Sequence, residues 1–221
     1  MEPYIQKLLQ DQDPFLVNLR AEAQLHHVPI VREDTAALLR FLVKYHKPSC
    51  ILEAGTAIGF SSILMAKCSE NPSLHIDTVE IDPDTAAAAR KNIQAAGYSR
   101  NIRVILGDAG EVLSCLTGCY DMIFVDSAKS QYLHMYDDLK RLLKPGGLLI
   151  CDNVIFYGKI FDIPEEAPHK HRTIITNMRN FLETLFQDED YTSTLLEIGD
   201  GVTLSHLKQK KTGDCASGHL R

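Results

Sequence analysis

Ile51-Leu52-Glu53-Ala54-Gly55-Thr56-Ala57-Ile58-Gly59 decides how the rest of the chain is read. An apolar strand runs into a turn with its glycines spaced Gly-x-x-x-Gly, and Ser61–Cys68 continues at helical spacing. A glycine turn at the carboxyl end of a first parallel strand lets the backbone approach a ligand closely. The spacing is not GxGxxG, and the acidic Glu53 precedes the turn. A carboxylate so near a helix start repels a pyrophosphate and suits a ligand with a cationic amino-acid end. The turn therefore argues against a nicotinamide enzyme. A bland reading stands beside it, in which the glycines only make a tight turn.

Around this turn, five apolar β-type runs alternate with helical segments. The runs are Cys50–Ala54, His75–Ile81, Ile102–Leu106, Tyr120–Val125 and Leu148–Cys151. Between them lie Ser61–Cys68, Asp84–Ala96, Gly110–Leu116 and Gln131–Leu143, with apolar residues at helical spacing. Such alternation predicts an α/β fold, a doubly wound, mostly parallel sheet with helices on both faces. Residues 4–45 read as two or three helices broken by Val28-Pro29-Ile30, and Thr173–Phe186 as a further helix. Thr194–Ile198 and Val202–Leu207 flank Gly199-Asp200-Gly201 and predict an antiparallel hairpin that brings the sheet to seven strands. One Rossmann-like domain is expected over residues 1–208, with N-terminal helices over 1–47, a core over 48–208 and a flexible polar tail over 209–221.

The bulk properties narrow the class. At 221 residues, a 45% hydrophobic and 24% charged chain has the make-up of one globular domain. No apolar run reaches the length of a membrane span, and Met1-Glu2-Pro3-Tyr4 lacks a secretion pattern, so a cytoplasmic protein is expected. None of the six cysteines forms a CxxC pair; free buried thiols are expected, and any metal chemistry should be oxygen-based. A net charge of −6 argues against a large, non-specific nucleic-acid surface but leaves room for a local basic patch.

Two constellations carry chemistry. The second strand ends at Glu80, where a carboxylate can accept both ribose hydroxyls. The third ends in Gly107-Asp108-Ala109, where Asp108 or the adjacent backbone can reach an adenine amino group. Three such features at successive strand ends describe an adenosyl ligand. The fourth strand ends at Asp126 and the fifth at Asp152-Asn153. Neighbouring parallel strands bring these together as two carboxylates and an amide oxygen, a half-shell for Mg²⁺, with Mn²⁺ or Ca²⁺ as other hard cations that fit. The alternative is that all three cap loops or helices. Lys129, three residues beyond Asp126, reaches the same pocket. A divalent cation there disfavours the ammonium and frees the amine to act as general base; otherwise it is an ordinary surface lysine.

These stretches, from about His26 to Leu207, resemble the cation-dependent O-methyltransferases that use S-adenosylmethionine, the group of catechol and caffeoyl-CoA methyltransferases. The resemblance implies that Glu53, Gly55, Ser61, Glu80, Asp108 and Ala109 contact the cofactor, and that Asp126 serves both cofactor and metal. It further implies that Asp152 and Asn153 complete the metal site, that Lys129 is the base and that the protein is a homodimer. Within the family, His26-His27-Val28-Pro29-Ile30, Asp152–Gly158 and Gly199-Asp200-Gly201 are similar to the bacterial branch that methylates 5-hydroxyuridine in the tRNA anticodon loop. That branch carries an arginine-rich run before its last long helix. Here the place reads Pro168-His169-Lys170-His171-Arg172, and residues 167–182 hold three cations and no anion. Lys170, Arg172 and Arg179 are the candidates for RNA phosphates, against an equal case for a solvated helix face. His26 and His27 read as packing or capping residues, and the loop Phe156–Pro168 as part of the substrate wall. The rival acceptor is a small catechol-like phenol, and a rival of another class is a non-catalytic cofactor-binding protein.

Overall fold

The computed structural model describes residues 3–164 and 166–209. Three helices come first, α1 (Pro3–Leu9), α2 (Pro14–Leu25) and α3 (Glu33–His46), the last two separated by the segment that holds Pro29. Strands and helices then alternate: β1 (Cys50–Ala54), α4 (Phe60–Cys68), β2 (His75–Glu80), α5 (Pro83–Ala95), β3 (Ile102–Leu106), α6 (Ala109–Cys115), β4 (Tyr120–Val125), α7 (Tyr132–Leu142) and β5 (Leu143–Cys151). A long helix α8 (His169–Gln187) and the hairpin β6 (Tyr191–Leu196) and β7 (Val202–Leu207) close the chain.

The seven strands lie in the order β3-β2-β1-β4-β5-β7-β6, parallel except for β7, which runs antiparallel to both neighbours. Each strand alternates its side chains between two helical layers. Ile51, Met122, Phe124 and Ile150 face the layer of α2, α3, α4 and α5. Leu52, Ile123, Val125 and Leu149 face the layer of α6, α7 and α8. Both sets are completely buried, which is why these strands read as unbroken apolar runs. Helix starts are set by short polar side chains: Asp82 accepts from Thr85 N at 2.7 Å with Pro83 opening α5, and Asp13 caps α2 in the same way.

The chain order reverses between β1 and β4, so a crevice opens at their carboxyl ends. β5 begins earlier than the sequence indicates. The strand passes through Lys144-Pro145-Gly146-Gly147, whose composition reads as a turn, with Gly146 at φ +84°, and the β4–β5 register shifts between Tyr120 and Met122 to absorb it. Among the described residues no helix is long and apolar enough to cross a membrane. Five cysteines are free, but burial was expected for all and holds fully only for Cys151; Cys115 and Cys119 are exposed beside the α6–β4 connection. The tail beyond Gln209, with Cys215, lies outside the described residues.

Candidate active site

A cavity of about 610 Å³ fills the crevice. Its first half is built from the ends of β1, β2 and β3. Gly55 has φ +105°, and a Cβ there would sit 2.2 Å from the carbonyl oxygen of Asp126. Only glycine lets the β1 turn pass this close to the end of β4. Gly55 N and Thr56 N both donate to Val79 O, at 3.0 and 3.1 Å, which fixes the turn against β2. Below it Glu53 is fully buried, accepting from the hydroxyls of Ser62 and Thr78. Burial raises its carboxyl to about 7, although the neighbouring hydroxyls of Ser61, Ser62 and Thr78 favour the ionised form. Its second oxygen, Oε1, is buried with no hydrogen-bond partner among the described residues.

Glu80, at the end of β2, accepts Ala57 N on Oε2 at 2.9 Å and Asp82 N on Oε1 at 3.0 Å. Both carboxylate oxygens keep lone pairs for a diol, and Glu80 lines the cavity. Asp108 caps α6 through Glu111 N and accepts from Gln131 Nε2 at 3.0 Å. Hydrogen bonding by Gln131 holds the Asp108 carboxyl below its usual range. This half of the cavity has the form of a cradle for an adenosyl amino acid: a backbone approach that a Cβ would fill, an acceptor pair for a ribose, and a buried carboxyl with one oxygen lacking a donor.

The second half lies over β4 and β5. Val125 and Cys151 are register partners, so Asp126 and Asp152 leave the sheet side by side. Tyr132, completely buried, clamps both strand ends by donating to Val125 O at 3.1 Å and Asp152 O at 2.9 Å. Asn153 takes φ +61°, and its Nδ2 donates to Asp126 Oδ1 at 2.6 Å. Burial raises the Asp126 carboxyl. Burial, and then the charge of Asp126, push Asp152 up to about 7. Lys129, half-buried, lines the same wall. Two crowded carboxyls and one amide form a hard-oxygen donor set for a divalent cation, and their like charges are what such an ion relieves. The Asn153 carboxamide turned end for end offers its oxygen in place of its nitrogen. The set has only two carboxylates; among the described residues no group of three or more His, Cys, Asp or Glu forms a metal cluster.

The sequence profile of the O-methyltransferase family matches residues 7–208. The chain belongs to that family. It is 32% identical over 220 residues to a catechol O-methyltransferase of Niastella koreensis, covering 94% of this chain and 96% of the relative. A Staphylococcus aureus protein provisionally assigned as a caffeoyl-CoA O-methyltransferase superposes with a TM-score of 0.84 at 33% identity, covering 92% of this chain and 97% of its own. The O-methyltransferase TomG of Streptomyces achromogenes, solved with S-adenosylmethionine bound, gives 0.81 at 27% identity, covering 93% and 94%. With the fold and the cradle, these relatives make the protein an S-adenosylmethionine-dependent O-methyltransferase.

The structure gathers Gly55, Ser61, Glu80, Asp108, Ala109, Asp126, Lys129, Asp152 and Asn153 on the wall of this O-methyltransferase's cavity. Glu53 differs: it is fully buried and does not line the cavity, whereas the neighbouring Ser61 does. Of the described residues of the loop expected to form a substrate wall, only Tyr157 lines the cavity. The basic stretch is partly committed elsewhere. Arg172 Nε donates to Ala167 O at 2.9 Å, and Arg179 donates to Ile160 O and Asp162 O at 2.9 and 2.6 Å, holding the loop that precedes α8. The Lys170 side chain lies outside the described residues. His26 is the C-cap residue of α2, in keeping with the capping reading. Gln131, Asp200 and the arm residues Pro29–Arg32 were not singled out as site residues, yet all line the cavity. Only three-dimensional closure brings them there, although the turn of Gly199-Asp200-Gly201 was visible in the sequence.

Proposed function

We propose that this O-methyltransferase depends on a divalent cation and methylates 5-hydroxyuridine at the wobble position of tRNA, giving 5-methoxyuridine. The observation that carries this reading is the rim of the acceptor half. Tyr157 lines the cavity yet is 76% exposed, and Lys159 Nζ stands 5.7 Å from its ring centroid. A free aromatic face beside a cation suits a single unstacked base on a phosphate backbone. The 5-hydroxyuracil ring carries its hydroxyl next to the 4-carbonyl, the adjacent oxygen pair that a catechol also offers to a hard cation.

Asp126, Asp152 and Asn153 would hold the cation, and Gly55, Ser61, Glu80, Ala109 and Gln131, with Glu53 beneath, the cofactor. When bound, the sulfonium supplies the methyl group and the cation lends Lewis acidity at the accepting hydroxyl. Lys129, on the same wall as both aspartates, takes the hydroxyl proton on Nζ. Tyr132 keeps the two strand ends from separating, so the aspartates remain a fixed pair. Most of the rate enhancement comes from this fixed alignment rather than from covalent chemistry.

A second reading, a small catechol-like phenol as acceptor, is favoured by the relative that matches nearly the whole chain. Purified protein incubated with S-adenosylmethionine, Mg²⁺ and either hydroxyuridine-containing tRNA or a catechol panel separates the two. Transfer to tRNA that disappears with a chelator is the expected result. Methylation of catechols with none to tRNA sinks the RNA assignment.

A further inference from the structure

The turn Gly199-Asp200-Gly201 sits against the acceptor loop, and its aspartate has an unusual accounting. Asp200 lines the cavity and is only 8% exposed. Its Oδ1 accepts Tyr157 N at 2.5 Å, while Oδ2 is buried with no hydrogen-bond partner among the described residues. The backbone of the same turn adds two more bonds: Ile155 N donates to Asp200 O at 2.8 Å and Val154 N to Gly201 O at 3.0 Å. Gly201 takes φ +84°, and a Cβ on it would stand 2.3 Å from Ile155 Cγ1. The turn and residues 154–157 are therefore built to fit one another.

What the turn holds is strained. Asn153, Phe156 and Tyr157 all have positive φ, at 61°, 53° and 54°. Non-glycine residues keep that conformation only where their surroundings over-determine it. The turn is anchored in its own right, because Gly199 N donates to Asp34 Oδ2 at 3.0 Å in the first turn of α3. An unbroken set of contacts thus joins the N-terminal helices, the hairpin turn and the rim aromatic.

We infer that Asp200 is a positioning residue, whose side chain latches the backbone of Tyr157 and so holds that ring at the acceptor end of the cavity. It acts through Tyr157 and takes no part in the proton transfer. The inference rests on the reading of Tyr157 as an acceptor contact, not on which acceptor is bound.

The chain contains no tryptophan, so Tyr157→Trp supplies a single reporter at the rim. In cofactor-loaded protein without acceptor, the fluorescence anisotropy of this variant should fall when Asp200→Ala is added and recover with Asp200→Asn, which keeps an oxygen for the Tyr157 N–H. In the Tyr157 background, D200A should raise KM for the methylated acceptor about tenfold, with kcat changed less than about threefold. Cofactor affinity should stay within about twofold. D200N should restore most of the acceptor affinity. If D200A does not give folded protein, Asp200→Ser, too short to reach Tyr157 N, stands in with the same expected losses. Unchanged anisotropy and KM in a folded D200A or D200S variant overturn the latch. So does a D200N variant as impaired as D200A, since the negative charge would then matter rather than the bond. The anisotropy needs no acceptor, so it judges the latch even if tRNA proves not to be the substrate.

Discussion

The two halves of the cavity are finished to different degrees. Around the cofactor cradle, protein donors meet the acidic groups: Ser62 and Thr78 on Glu53, Ala57 N and Asp82 N on Glu80, Gln131 on Asp108. At the acceptor end, Asp126 and Asp152 emerge from adjacent strands with an amide between them, and burial raises both carboxyls. Backbone strain follows the same division, with Ala57 at positive φ in one half and Asn153, Phe156 and Tyr157 in the other. The cradle is a preorganised shape. The acceptor end crowds two carboxyls beside strained backbone, an arrangement that the cation and substrate of the proposed function would complete.

The largest effect should come from splitting the halves. Asp152→Ala removes one of the two carboxylates while leaving the β1 turn untouched. Transfer should fall at least about 10³-fold, as expected when a group that stabilises developing charge is lost. Calorimetric titration should show cofactor affinity changed by less than about threefold. Comparable loss of both would mean that the two halves are one electrostatic unit.

Gly55→Ala tests the tightest approach between the halves. Its φ of +105° and the 2.2 Å approach to Asp126 O leave no room for a methyl group. Destabilisation of about 3 kcal/mol is expected from strain and backbone displacement together. Urea unfolding would measure it, and cofactor binding should weaken with it. A variant of wild-type stability would show that the turn is softer than its contacts imply.

This contact also shows where sequence reading stops. β1, β3, β4 and β7 were legible to the residue: β1 and β4 are near-continuous apolar runs buried on both faces, and β3 and β7 are β-type runs bounded on one side by turn glycines. Gly55 and Asp126 were legible as strand-end residues, since topology alone brings parallel strand ends together. Gln131 was not, because its part depends on Asp108, 23 residues away. Ser62 and Thr78 beneath Glu53 were hidden for the same reason: a hydroxyl in an apolar run carries no mark of the carboxyl it will serve. The early start of β5 was masked by Pro145, Gly146 and Gly147, which usually end a strand and here extend one.

Glu53 makes the cradle half sensitive to pH. Burial lifts its carboxyl from 4.5 to about 7 in the cofactor-free protein. Its contribution to folding is therefore fully present below about pH 4.5 and is lost as pH rises through about 7. Glu53→Gln, which cannot ionise, should be more stable than wild type at pH 8 by about 2 kcal/mol, with the gap closing by pH 5. Unfolding at both pH values reads this directly. Added cofactor, which brings a cationic amino group, should shrink the gap at pH 8. A gap independent of pH would place the burden of Glu53 on packing rather than ionisation.

The smallest effect is expected at the rim, and it bears on the acceptor. Lys159 Nζ lies 5.1 and 5.7 Å from the ring centroids of Phe156 and Tyr157, an exposed pairing worth about 0.5–1 kcal/mol. Losing it in Lys159→Ala should raise KM about three- to fivefold for any acceptor that rests on Tyr157. If the acceptor is tRNA, the lysine also meets phosphate, and removing one such contact lowers the slope of log affinity against log salt by about 1. A small phenol has no phosphate to release counterions, so its slope should not move. The same substitution measured at three salt concentrations then reports on the acceptor through the physics of its backbone, independently of which product is detected.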